Sequence, residues 1–311
     1  EWANEGNWTK GSSVSGTLSG LLADSSACTI IIPAGCSNYP VISTGNVTVG
    51  NLSSDEGTSL SISGDSSVSF EKSLLNGGTL TLDTSGNVSM NNVSSGSSSK
   101  VVIKSGVSLS TTASTTFMDV EIQSGVTFSP STDFCVSGNW ANSGTFNASA
   151  GTVSFKGSSQ TVKGNNTWYN LCFSPEAEQT VTFGDGTRQK ITNCLSFSGD
   201  EKTELTLGSD IEVGAKTLFN TKGDSEIQIH LGGHTIETTE IWMNEDADGD
   251  GDRNSNVVVD GSGKVDCKSR LDYPNKYTHK ITVKGAAVLS IARLYGDGYR
   301  DDIAYGLFLI F

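Results

Sequence analysis

The sequence predicts an all-β chain wound as a β-solenoid, and three observations carry that expectation. A decapeptide recurs: Gly45-Asn46-Val47-Thr48-Val49-Gly50-Asn51-Leu52-Ser53-Ser54 returns as Gly86-Asn87-Val88-Ser89-Met90-Asn91-Asn92-Val93-Ser94-Ser95. The register then holds without a gap, so Leu60 and Ile62 fall on Val101 and Ile103, and the 41-residue spacing equals two turns of about 20 residues each. Apolar residues also alternate with Ser and Thr in short runs, among them Val68-Ser69-Phe70, Leu80-Thr81-Leu82, Val107-Ser108-Leu109 and Leu205-Thr206-Leu207. This period of two places one row inward and one outward. Each run is bounded by Gly, Asn, Asp or Ser, and only five Pro occur in 311 residues, so strand N–H groups are free to join ladders. A β-sandwich of similarly spaced strands is the alternative. The in-register repeat favours parallel stacking over it.

Three regions follow in order. Residues 1–44 read as an N-terminal cap, in which Trp2, Trp8 and the apolar run Cys28–Gly35 cover the open end of the coil, where strand edges otherwise stay unpaired. Residues 45–225 are the solenoid body, strand after strand, with no helical apolar period. Residues 226–311 continue the coil, then change character. An acidic insertion occupies 244–256, a stretch containing Arg270, Lys276, Lys280 and Lys284 follows, and an apolar strand closes the chain at Tyr305–Phe311.

Composition narrows the function. Acidic residues outnumber basic ones 34 to 20, for a net charge of −14, which leaves too few cations to neutralise nucleic-acid phosphates or an anionic lipid surface. No run of 18 apolar residues is present to cross a membrane as a helix. A start at Glu1 without Met fits a processed terminus or an excised segment. The six Cys include no Cys-x-x-Cys pair, and with three His the common zinc spacings are missing. Cys28 and Cys36 bracket a short apolar segment and are disulfide candidates. So are Cys172 and Cys194, one turn apart and expected on neighbouring rungs. No such argument pairs Cys135 with Cys267, and buried free thiols are the competing reading. Disulfides would indicate an oxidising, extracellular setting.

The stretch Val136-Ser137-Gly138-Asn139-Trp140-Ala141-Asn142-Ser143-Gly144-Thr145-Phe146 continues through Gly151-Thr152-Val153-Ser154-Phe155-Lys156-Gly157 to Gln160-Thr161-Val162 and Trp168-Tyr169-Asn170-Leu171. It resembles a recurring unit of large bacterial surface proteins, in which G-N-W-x-N-x-G-T-F leads to G-T-V-x-F-x-G, Q-T-(V/I) and Y-N-L. The opening Trp2-Ala3-Asn4-Glu5-Gly6-Asn7-Trp8, followed by Ile31-Ile32-Pro33-Ala34-Gly35, looks like the first segment of the same proteins. The resemblance implies a right-handed parallel β-helix like those of autotransporter passengers and filamentous-haemagglutinin-type adhesins, at the cell surface, and it brings no catalytic residues. The six Cys and the C-terminal region depart from it.

Several clusters are candidate sites. Asp246, Asp248, Asp250, Asp252 and Asn254 offer oxygen ligands at alternate positions around Gly251, a pattern that suits Ca²⁺. Val257 stands where an EF-hand loop carries its bidentate Glu, so Glu245 or Asp260 must complete the shell. A solvated acidic loop is the competing reading. Seven Asn-x-Ser/Thr sequons, at Asn7, Asn46, Asn51, Asn87, Asn92, Asn147 and Asn165, are possible glycosylation sites, in a composition that generates such triplets freely. A polysaccharide lyase or glycosidase is the enzymatic alternative, with Asp224, Glu226, Asp260, Asp266, Lys268 and Arg270 as the available acid, base and cation. His230 and His234, read as one strand, share a face about 13 Å apart and are surface residues rather than ligands. The closing strand Tyr305-x-Leu307-x-Leu309-x-Phe311 either folds back on its own chain or completes the sheet of a neighbour, near Trp2 and Trp8 of the next subunit. The function expected from all this is a non-enzymatic extracellular structural protein, a surface adhesin or filament subunit that self-associates or meets other surface proteins. A carbohydrate-binding or lyase β-helix that meets glycans is the alternative.

Overall fold

The computed structural model describes residues 8–9, 29–112, 114–184, 189–221, 225–243, 255–273, 278–296 and the backbone of 306–310. The fold is all-β, with parallel strands stacked in about 11 turns, a parallel β-helix. Strand pairing is parallel throughout the described residues, which excludes the antiparallel sandwich. The chain divides into two compact units, Glu1–Gly151 and Thr152–Phe311, where the sequence placed its boundaries at 44 and 225.

In the first unit one wall is built from Thr29–Ile32, Asn46–Ser54, Ser67–Leu75, Asn87–Met90 and Ser108–Thr111, each beside the next. A second wall runs through Val41–Ile42, Ser59–Gly64, Thr79–Thr84, Lys100–Ile103, Asp119–Ile122 and Trp140–Asn142. The repeat sits as its spacing requires. Val47 pairs with Val68, and Val68 with Val88. On the second wall Leu60 pairs with Leu80 and Leu80 with Val101, while Ile62, Leu82 and Ile103 form the adjoining row. That row, Ile42, Ile62, Leu82, Ile103 and Ile122, is at most 1% exposed at every rung. Each such side chain contributes about 1.5–3 kcal/mol by leaving water.

The two copies of the decapeptide use their leading glycine for different reasons. Gly45 has φ +78°, with open space where a Cβ would stand. Gly86 lies so close to the preceding rung that a Cβ would meet the Ser66 carbonyl oxygen at 2.2 Å. The Trp-containing phrase is likewise architectural. Trp140 is 1% exposed, its ring meets Phe146 edge-on at 4.8 Å, and the Asn142 side-chain oxygen accepts the Gly144 N–H at 2.9 Å, closing the corner.

In the second unit one wall comprises Thr152–Phe155, Asn166–Phe173, Gln189–Gly199, Ile211–Thr221, Thr235–Met243, Ser262–Tyr273 and Ala286–Ile291. The facing wall comprises Ser159–Lys163, Gln179–Phe183, Thr203–Thr206, Glu226–His230, Ser255–Asp260, Thr278–Val283 and Gly306–Ile310. In-register stacking produces a phenylalanine column inside: Phe155, Phe173, Phe197 and Phe219 follow one another with ring centroids 6.1, 5.2 and 5.3 Å apart. Buried amides close the corners. Gln179 Nε2 donates to Gln160 Oε1 at 2.9 Å and to the carbonyls of Phe155 and Gly157 at 3.1 and 3.0 Å, tying the end of one strand to the turn that follows it.

Two expectations are corrected and one open choice is decided. Cys172 and Cys194 do not bridge each other, because Cys172 pairs with Ser196 and Cys194 with Asn170. Two residues of offset between adjacent strands separate their Cα atoms by about 8 Å, beyond disulfide range. Cys36, Cys135 and Cys267 form no disulfide either; Cys28 lies outside the described residues. Of the two readings of the tail strand, the structure shows the fold-back: the backbone of Gly306–Ile310 pairs in parallel with Thr278–Val283 of its own chain, His279 opposite Leu307 and Ile281 opposite Leu309. Finally, His230 and His234 do not share a strand. Gly232 and Gly233, at φ +57° and +93°, turn the chain between them, so that His230 ends one wall and His234 precedes the first residue of the other.

Candidate functional site

The hydroxyl-rich outward rows of the first unit carry little chemistry. On its first wall Thr48, Ser69, Ser89 and Ser110 stand in register, one per rung. Ionisable clusters gather in the second unit, one on each wall.

On the wall that contains Glu226–His230, Thr206, His230 and Asp260 are successive register partners, and Glu204 sits diagonally from His230. His230 Nδ1 lies 2.5 Å from Asp260 Oδ1, and Nε2 lies 3.0 Å from Glu204 Oε1. Gln228 Nε2 donates to the other Asp260 oxygen at 3.2 Å, and Lys202 Nζ approaches Glu204 at 3.8 Å. The imidazole thus joins carboxylates from the rungs on either side, and it donates to both when both its nitrogens carry protons. Glu226, two residues before Gln228, accepts a hydrogen bond from Asn256 Nδ2 at 3.3 Å.

The other wall carries a larger patch on Thr235–Met243, Ser262–Tyr273 and the short strand Leu294–Gly296. Cation and aromatic groups alternate across it. Lys216 Nζ lies 4.8 Å from the centre of the Trp242 ring, and the Arg270 guanidinium carbon lies 5.6 Å from Trp242 and 5.5 Å from Tyr295. Arg270 Nε is held by Glu240 at 3.4 Å and Asp272 at 3.3 Å, and Trp242 Nε1 donates to Glu240 at 2.7 Å. Beside this stack, Asp266 accepts Lys268 at 2.5 Å and Lys264 at 3.0 Å. Lys268, and then Lys264, hold the Asp266 carboxyl down at about 2. Burial pushes the Cys267 thiol up, away from the reactive thiolate.

The sequence-derived candidates scatter accordingly. Asp260 joins the histidine cluster and Arg270 the aromatic one, Asp266 and Lys268 pair with each other, and Glu226 has its own amide partner, so the five described residues of the six proposed for sugar chemistry do not converge on one place. Asp224 lies outside the described residues, as do Glu245, Asp246, Asp248, Asp250, Asp252 and Asn254; among the described residues no group of three His, Cys, Asp or Glu is arranged to hold a metal. Of the sequons, Asn46, Asn87, Asn92, Asn147 and Asn165 are exposed, Asn51 is half-buried and Asn7 lies outside. Trp8 lines a cleft with Ile31, Pro33, Cys36 and Tyr39, while Trp2, Tyr305 and Phe311 lie outside the described residues. Sequence reasoning passed over Glu204, Glu240, Trp242 and Tyr295, because residues scattered over three strands carry no motif. Only the register brings them together. No helix among the described residues is long and apolar enough to cross a membrane. No protein-family model, curated protein or solved structure matches this chain.

Proposed function

We propose that the protein is a non-enzymatic structural component of a cell exterior, an adhesin or the subunit of a surface filament. The observation that carries this reading is the division of labour in the first unit, where rung after rung spends its inward positions on Val, Ile, Leu and Phe and its outward row on Thr48, Ser69, Ser89 and Ser110. Such a wall adds length and hydrated surface without placing groups for chemistry. The resemblance of the Trp140 phrase to bacterial surface repeats agrees with it. Immunogold labelling of intact source cells tests it: label at the exterior supports the reading, and label confined to the cell interior removes it.

Ca²⁺ at Asp246, Asp248, Asp250, Asp252 and Asn254 belongs to the same reading, as a stiffening ion in a secreted scaffold. Calorimetry with CaCl₂ should register heat for the parent and none for the Asp248→Ala, Asp250→Ala double variant. Equal heats in the two would remove the ion. A second reading, glycan recognition by the wall of the second unit, is favoured by one observation, the Trp242, Arg270 and Tyr295 stack.

A further inference from the structure

We infer that Tyr295 is the platform of a binding site for neutral glycans, with Asp272, Glu240 and Arg270 as its polar rim. The inference rests on the glycan-recognition reading and gives it a place and a ligand class. Tyr295 is 50% exposed, whereas the Trp242 ring on the same wall is overlain by Lys216 and Arg270. The Arg270 guanidinium lies against the Tyr295 ring at 5.5 Å, with Nε 3.4 Å from Glu240 and 3.3 Å from Asp272, so the ring is backed by an ion-paired cation while half its surface meets water. Asp272 is the register partner of Tyr295 across the ladder, which places a carboxylate beside the ring. Glu240 is anchored in turn by the Trp242 indole N–H.

A half-exposed ring, held flat from below and rimmed by carboxylates and a guanidinium, suits a pyranose. The C–H face of the sugar covers the aromatic surface, while its hydroxyls donate to Asp272 and Glu240 and accept from Arg270. Preorganisation matters here, because Arg270 is already ordered by two carboxylates and two rings, and the ligand does not bear the cost of ordering it. Charge selects the class. Asp272 stands beside the ring and Glu240 beside the Arg270 guanidinium, in a protein of net charge −14, so a uronate or sulfated chain meets repulsion that a neutral chain does not.

Affinity electrophoresis of the full chain through gels containing soluble xyloglucan, galactomannan, mixed-linkage β-glucan or polygalacturonate tests the proposal. At least one neutral polysaccharide should retard the parent, polygalacturonate should not, Tyr295→Ala should weaken the retardation at least tenfold, and Tyr295→Trp should keep it. Neutral retardation that Tyr295→Ala leaves unchanged would overturn the site while leaving glycan recognition standing. No retardation by any of the four polysaccharides would overturn both. Retardation by polygalacturonate alone would overturn the ligand class.

Discussion

His230 and Asp260 touch, Nδ1 to Oδ1 at 2.5 Å, although 30 residues of chain separate them. They meet because the register pairs them across one rung, and the Glu204 contact on the other side of the ring extends the tie to a third strand.

That tie should be measurable as a coupling. In a double-mutant cycle with His230→Gln and Asp260→Asn, the pair is expected to contribute about 0.5–1.5 kcal/mol beyond the sum of its parts. The value stays modest because the side chains are 29% and 23% exposed, and water screens them. Urea denaturation of parent, single and double variants reads it. Strictly additive losses would show that the contact does not hold the rungs together.

The phenylalanine column sets the largest effect. Phe197 is fully buried between Phe173 and Phe219, at 5.2 and 5.3 Å. Phe197→Ala should cost about 3–5 kcal/mol, while Ser69→Ala on an outward row should change stability by less than about 0.5 kcal/mol. Equal urea midpoints for the two variants would contradict the inward and outward assignment.

The two leading glycines should respond differently to the same pair of substitutions. At Gly45 the restriction is conformational, so Gly45→Ala should cost about 1–2 kcal/mol and Gly45→Asn, which tolerates positive φ, less. At Gly86 the restriction is the carbonyl of Ser66, and both Ala and Asn should be poorly tolerated. Thermal melts that rank Asn above Ala at both positions would show that the close approach at Gly86 is not limiting.

Asp266 predicts an acid limb. Its carboxyl titrates at about 2 in the folded chain because Lys268 and Lys264 stabilise its charged form, so the unfolded chain takes up that proton first as pH falls. Its contribution is therefore complete above the usual carboxylate range and is lost between there and about pH 2. The Tm of the parent should exceed that of Asp266→Asn near neutrality, and the gap should close by about pH 2. A gap independent of pH would assign the effect to packing rather than charge.

The coil was legible in the sequence because its cause is local. Alternation in Leu60-Ser61-Ile62 and Leu80-Thr81-Leu82 needs no knowledge of distant residues, and identical inward rows then find one another. Register between rungs of unequal length was not legible. Cys172 and Cys194 miss each other by two positions, and nothing in the intervening residues announces that offset. The Gly232-Gly233 corner was read as part of a strand because apolar residues continue through it, with Leu231 before and Ile236 after. The aromatic patch has the same origin: Trp242, Arg270 and Tyr295 become neighbours only once each corner's length is known.

Those unequal rungs have a consequence for how such a protein changes over time. Val68 meets Val88 after 20 residues, whereas Ile227 meets Val257 after 30, yet both pairs stand in ordinary register. The ten additional residues leave the pairing on either side in register. Corners are therefore places where new sequence can be tried cheaply, while the walls keep their spacing. The acidic run falls in the sequence between the strands that end at Met243 and begin at Ser255, and its composition can drift, expand or acquire a ligand while those strands keep their register.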